Sequence, residues 1–71
     1  MADSVYKFIE LVGTSSESWE KAAAAAVTQA SKSVRDLRVA EIVQLDVAIE
    51  NGKIKSYRAK VKPSFKYESK G

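Results

Sequence analysis

The chain has 71 residues and contains neither cysteine nor histidine. Without cysteine there is no disulfide framework and no thiolate zinc site. Without histidine there is no Ser-His-Asp triad, no imidazole base and no metal site anchored on histidine. The glutamates are scattered along the chain and nominate no carboxylate pair for acid–base catalysis. We therefore predict that the protein is not an enzyme.

Long hydrophobic segments are also missing. The longest apolar run, residues 22–27, is far shorter than the ~20 residues that span a bilayer. The first four residues, 1–4, place no basic segment before an apolar stretch, so we expect no signal peptide. These features predict one cytoplasmic domain over residues 1–71, with no membrane partner. A single core of this size rarely supplies more than ~3–5 kcal/mol, so oligomerisation is expected in place of disulfides.

The net charge is +3, and basic residues are concentrated in the last third of the sequence. They occupy largely alternate positions there, which is typical of the solvated face of a strand. A nucleic-acid surface would interleave such residues with exposed aromatic side chains. We therefore expect no nucleic-acid partner. The basic residues concerned are Lys53, Lys55, Arg58, Lys60, Lys62 and Lys66.

Composition and spacing predict a strand followed by a helix. The segment at about residues 4–13 is rich in β-branched and aromatic residues and ends at Gly13, which is typical of a strand. Hydroxyl residues at 14–18 suit a helix cap, and the alanine-rich segment after them predicts a helix over about 15–34. The expected apolar stripe of this helix consists of Trp19, Ala23, Ala26, Val27, Ala30 and Val34.

A long hairpin follows the predicted helix. Two strands, at about 38–50 and 53–67, flank Asn51-Gly52, the strongest short signal for a type I′ turn. Apolar residues alternate with polar ones, and the odd-numbered positions are predicted to share the buried face in both strands. Pro63 lacks an N–H group, which indicates an edge or a bulge in the last strand.

The predicted fold class is α+β with the order β-α-β-β, in which one helix lies on a three-stranded antiparallel sheet. One helix cannot cover such a sheet, and both sheet edges stay open. Ala40, Ile42 and Ala48 add apolar surface to the nominally polar face. We therefore expect a homo-oligomer in which sheets pack against one another.

Three carboxylates on the first hairpin strand are candidate metal ligands: Glu41, Asp46 and Glu50. Hard cations such as calcium and magnesium prefer oxygen ligands of this kind. An EF-hand is excluded because the sequence has no D-x-D-x-D-G loop. Single carboxylates on strands are commonly just solvated, and that interpretation stays open.

Three segments resemble the dodecin family: VYKFIELVGTS at residues 5–15, VRDLRVAEI at 34–42 and YRAKVKPSF at 57–65. The resemblance covers residues 4–68 and is similar in detail to the calcium-dodecin branch, notably at SWEKAAA, residues 18–24. It implies that the three-stranded sheet wraps around the helix and that the subunits assemble into a hollow dodecamer. It also implies a binding function, since many dodecins hold flavins in pairs between subunits.

The flavin-pocket positions implied by this resemblance are all substituted. Val39 stands where flavin-binding dodecins carry the tryptophan that sandwiches the isoalloxazine ring. Arg58 replaces a glutamine that hydrogen-bonds the ring edge, and Gln44 replaces an acidic residue near the ribityl chain. Valine has no π-face, whereas an aromatic pair adds about 0.5–1.5 kcal/mol beyond area burial. Flavin binding is therefore expected to be weak or absent.

The resemblance implies a non-enzymatic dodecameric shell that binds, stores or sequesters a small ligand or a cation such as calcium or magnesium. Two alternatives stay open: a flavin-binding dodecin despite the substitutions, and a structural scaffold with incidental ions. Arg58 shares a strand face with Lys60 and Lys62, and its guanidinium suits an anionic ligand. The competing expectation is a salt bridge from Arg58 to Glu41 or Asp46 of a neighbouring subunit.

Overall fold

The sheet is built around its last strand. The computed structural model describes residues 5–66, so Ser4 and Tyr67 of the predicted strands lie outside the described residues. In chain order the elements are β1 (Tyr6–Phe8), β2 (Leu11–Ser15), α1 (Trp19–Ser33), β3 (Leu37–Glu50) and β4 (Lys53–Lys66). β3 pairs along one side of β4, while β1 and β2 follow each other along the other side, all antiparallel. The sheet is therefore three strands wide, as predicted.

The first predicted strand is interrupted at residues 9–10. β1 and β2 keep one register against β4 on both sides of this break. At the break, the Ile9 N–H donates to the Pro63 carbonyl oxygen at 3.1 Å. Proline has no N–H to return a bond, so the ladder is interrupted there. The prediction that Pro63 marks an edge was wrong, because Pro63 is buried in the central strand. A register irregularity does lie beside it, between Leu37 and Val39, which pair with Phe65 and Ser64.

The helix begins later than predicted because the hydroxyl residues before it have different roles. β2 continues to Ser15, whose Oγ accepts the Glu17 N–H at 2.9 Å. Ser18 is the N-cap, and its side chain accepts the Lys21 N–H at 3.0 Å. The helix therefore starts at residue 19 instead of 15 and ends at Ser33, one residue before the predicted end.

Alanines form the face of α1 that packs on the sheet. A Cβ added to Gly13 of β2 would overlap the Ala22 carbonyl oxygen and lie 3.0 Å from the Ala26 nitrogen, so helix and sheet are in backbone contact. The buried stripe therefore runs through Ala22, while Trp19 lies at its border with 39% of its surface exposed. The core consists of small apolar residues: Ala22, Ala26, Ala30, Ala59 and Val61.

The alternation of side chains along β3 reverses within the strand, contrary to the prediction. Ile42 lies opposite Val61 of β4, but Leu45 lies opposite Ala59, so Val43 is an extra residue between the two pairs. One extra residue turns all later side chains to the other face of the sheet. Ile42 and Leu45 therefore both lie on the helix side, although one has an even and the other an odd number.

The hairpin turn forms as predicted. Asn51 and Gly52 have φ angles of 54° and 73°, the left-handed values that a type I′ turn requires at both positions.

Beside the helix, β3 leaves an apolar groove of about 180 Å³, lined by Trp19, Glu20, Ala23, Ile42 and Leu45. Within residues 5–66, no helix has the length and apolarity needed to cross a membrane.

Candidate functional site

We call the sheet face opposite α1 the open face. A cavity of about 80 Å³ on this face is lined by Val12 of β2, Gln44 and Asp46 of β3, and Arg58 and Lys60 of β4. Strand pairing brings these residues together, because Gln44 lies opposite Lys60 and Asp46 lies opposite Arg58. The site thus combines two predicted flavin-pocket positions, Gln44 and Arg58, with one predicted metal ligand, Asp46.

The main polar contact in this cavity is a two-point ion pair. Arg58 Nε donates to Asp46 Oδ1 at 2.7 Å, and Arg58 Nη2 donates to Asp46 Oδ2 at 3.3 Å. Such a fork fixes the direction of both side chains, although they remain 47% and 40% exposed. Within one chain, therefore, Arg58 already has a carboxylate partner, and it is Asp46, one of the two residues expected to pair with it.

This pair determines the charge of the cavity. The hydrogen bond from Arg58 lowers the pKa of Asp46 below its ordinary value of 3.8; desolvation opposes this shift, and the positive charges of Arg58 and Lys60 add to it. The same hydrogen bond raises the pKa of Arg58. Both groups are therefore charged at neutral pH. Among the ion pairs of residues 5–66 none involves Lys60, which leaves its positive charge facing the cavity.

The three predicted metal ligands do not meet within one chain. Asp46 is held by Arg58, and Glu50 pairs with Lys55 at 3.7 Å. Glu41 lies opposite Lys62 in the ladder. The part of the chain that the structure describes contains no group of three acidic side chains placed to hold an ion. A complete cation site would therefore need oxygen atoms from elsewhere, such as backbone carbonyls or a second subunit.

Val39 lies apart from the other two predicted flavin-pocket positions. Its side chain is 62% exposed, and its carbonyl oxygen accepts a hydrogen bond from Ser64 Oγ at 3.4 Å. It lines a separate depression of about 130 Å³ together with Val27, Leu37, Arg38, Ala40 and Pro63. Within one chain, therefore, the structure joins Gln44 to Arg58 but does not join Val39 to either.

Trp19 also contacts this site, which no local sequence pattern indicates. Trp19 Nε1 donates to the backbone oxygen of Asp46 at 2.9 Å. The indole also meets the Tyr57 ring edge-on, with centroids 5.1 Å apart and planes at 78°. Only the tertiary structure reveals this role, because 27 residues separate Trp19 from Asp46.

Comparisons with known proteins agree with this architecture. The Dodecin family model matches residues 5–68. The calcium dodecin of Mycobacterium tuberculosis is 53% identical over 64 residues, covering 89% of each chain. The dodecin of Thermus thermophilus is 38% identical over 64 residues, covering 90% of this chain and 93% of that protein.

Solved structures show the same fold. The dodecin from Streptomyces coelicolor superposes with a TM-score of 0.89 at 33% identity, covering 99% of this chain and all of that one. The crystal structure of the M. tuberculosis calcium dodecin, described as a calcium-chelating antigen with a novel calcium-binding site, gives a TM-score of 0.81 at 46% identity. The superposition covers 96% of this chain and 97% of the M. tuberculosis chain.

The family model, the curated relatives and the solved structures all confirm the resemblance to dodecins that the sequence shows. The family match covers all of the described residues and includes the helix, the sheet and the long hairpin. Members of this family are binding proteins, and dodecamer assembly is known for them. The chain belongs to the dodecin family.

Proposed function

We propose that the protein is a non-enzymatic, dodecameric binding protein whose ligand is a cation, with calcium the first candidate. The observation that carries this proposal is the 53% identity to a calcium dodecin along 89% of the chain. The substitution of Val39, Gln44 and Arg58 at the flavin-pocket positions supports a ligand other than a flavin.

The described carboxylates favour a site shared between subunits. Calcium takes about six to eight oxygen ligands. Within residues 5–66 of one chain, no three acidic side chains lie close enough together to hold an ion. Arg58 engages both carboxylate oxygens of Asp46, and Lys55 lies near Glu50. Glu41 forms no ion pair among the described residues and is exposed, which makes it the first candidate ligand. Oligomerisation can add the missing oxygens by placing β3 of one subunit against another.

Metal analysis tests the proposal. Protein stripped with a chelator, re-exposed to calcium and dialysed should retain calcium at a stoichiometric ratio to the subunits or to their interfaces. Glu41→Gln should lower that ratio or weaken binding about tenfold or more, as expected for loss of a charged ligand. Glu10→Gln is the matched control, because Glu10 is exposed and lies between β1 and β2. A wild-type dodecamer that retains neither calcium nor magnesium would favour the scaffold alternative.

Flavin binding is the second candidate function, and the open-face cavity supports it. Gln44 and Arg58 both line it. The Gln44 amide and the Arg58 Nη1 group, which lies outside the pair with Asp46, can donate to a polar ring edge. The 38% identity to the T. thermophilus dodecin supports the same alternative. Riboflavin titration separates the two functions: strong quenching of flavin fluorescence in calcium-free buffer would favour the flavin.

A further inference from the structure

Trp19 connects the two faces of the sheet. Its indole lies on the helix side, where it donates a hydrogen bond to the backbone of Asp46 and contacts the ring of Tyr57. The carboxylate of Asp46 points to the open face, where it holds Arg58. Tyr57 directly precedes Arg58 on β4. The Trp19 side chain therefore contacts both strands that carry the ion pair, β3 at Asp46 and β4 at Tyr57.

This contact is the tie between the helix and the outer strand. The alanine face of α1 packs on β2 and β4, at Gly13, Ala59 and Val61. Within residues 5–66, the bond from Trp19 to Asp46 is the one side-chain hydrogen bond that joins α1 to β3. β3 lies at the side of the sheet and is paired only with β4 in the described chain. The Asp46 backbone is therefore held from two directions, by its pairing with Arg58 in the β4 ladder and by Trp19 from the helix.

A two-point ion pair is sensitive to that position. The two Arg58–Asp46 hydrogen bonds measure 2.7 and 3.3 Å, so the longer one is already near the limit for a bond. A small shift of β3 along or away from β4 would break it and free one side of the guanidinium. We propose that Trp19 is a positioning residue for the Arg58–Asp46 pair and that the state of this pair is transmitted through the sheet to the start of α1.

This coupling is reciprocal and does not depend on which ligand the protein binds. If Trp19 stabilises the paired arrangement, loss of the pair must loosen Trp19 by the same free energy. A ligand that takes Arg58 away from Asp46 would change the indole environment on the opposite face. Because the chain has one tryptophan, its fluorescence reports this position alone.

The first experiment compares Arg58→Gln with Lys60→Gln in the assembled protein. The two variants lose the same charge from the same face of β4, but only Arg58 pairs with Asp46. Arg58→Gln should shift the Trp19 emission maximum to the red and raise its acrylamide quenching constant about twofold, as for a local opening. Lys60→Gln should leave both values as in the wild type. If Arg58→Gln and Lys60→Gln give the same emission maximum and the same quenching constant, the proposal is overturned.

The second experiment runs in the reverse direction with Trp19→Phe, which keeps an aromatic ring but removes the N–H donor. Phenylglyoxal, which modifies guanidinium groups, should react with Arg58 about threefold faster in this variant, consistent with coupling within one network. Arg35 and Arg38 serve as internal controls, and Ser18→Ala controls for weakening of the helix start. Equal acceleration at all three arginines overturns the positioning role. If Trp19→Phe does not assemble, the first experiment decides, because its variants retain Trp19.

Discussion

Gly13 of β2 and Ala22 of α1 are in backbone contact across the core. A Cβ on Gly13 would overlap the Ala22 carbonyl oxygen, so no other residue fits without moving the helix. The alanines of α1 and this glycine together let the helix lie unusually close to the sheet. The resulting core is small, and large apolar side chains such as Ile42 and Leu45 remain exposed on the single chain.

Gly13→Ala should lower the free energy of unfolding by about 3 kcal/mol, the upper range for overpacking, because the obstacle is backbone that cannot rotate away. Urea denaturation at fixed protein concentration measures this loss. Gly52→Ala is the control: its Cβ would meet nothing within 4 Å, and its φ of 73° predicts a loss of only about 1–2 kcal/mol. A Gly13→Ala protein as stable as the wild type would contradict the close helix–sheet contact.

The Arg58–Asp46 pair should make stability depend on acid pH. Arg58 lowers the pKa of Asp46 in the folded protein below the ordinary value of 3.8. The stabilisation is therefore fully present above pH 3.8 and is lost as the pH falls from there through the folded-state pKa. The urea midpoint of the wild type should exceed that of Asp46→Asn at pH 6, and the difference should shrink below pH 3.8.

The pH effect should be small, because both side chains are substantially exposed and solvent screens their attraction. Salt provides a second check, since added sodium chloride should reduce the difference at pH 6. A difference between wild type and Asp46→Asn that stays constant from pH 6 to pH 2 would show that the carboxylate charge contributes nothing.

Val39→Trp combined with Arg58→Gln should convert the protein toward flavin binding. The tryptophan restores a π-face at an exposed position of β3, and the glutamine restores an uncharged amide. Riboflavin fluorescence should be quenched on titration with the double variant and little changed by the wild type. Ile49→Trp is the matched control, since it adds the same ring at another exposed position of β3. Equal quenching by this control would indicate non-specific stacking.

Light scattering should give about twelve times the 7.8 kDa subunit mass for the wild type at micromolar concentration. Leu45→Lys should reduce this mass, because it places a charge in the apolar groove beside Trp19 and Ile42. Ile54→Lys, at the hairpin end and outside this groove, should retain the large assembly. A monomeric or dimeric wild type would contradict the dodecamer.

The amino-acid sequence by itself determined the order of elements, the hairpin turn and the family. These follow from local patterns: β-branched segments, an alanine-rich helical period and Asn51-Gly52, each of which acts over a few residues. It also indicated the cap region, where Ser18 lies, and placed Arg58 on one face with Lys60. These predictions required no knowledge of distant contacts, because each pattern depends only on residues that are near one another in the sequence.

Only the tertiary structure decided which residues meet. The extra residue Val43 moves the later side chains of β3 to the opposite face of the sheet. Pro63 has no N–H to donate, so the strand paired with it is interrupted at Ile9, some fifty residues earlier in the chain. Neither effect is visible in local composition, because each depends on the register between strands. The same register brings Asp46 to Arg58, and the helix packing on Gly13 brings Trp19 to Asp46. Contacts between distant residues are set by packing and pairing, which is why the sequence supplied the candidates and the fold selected among them.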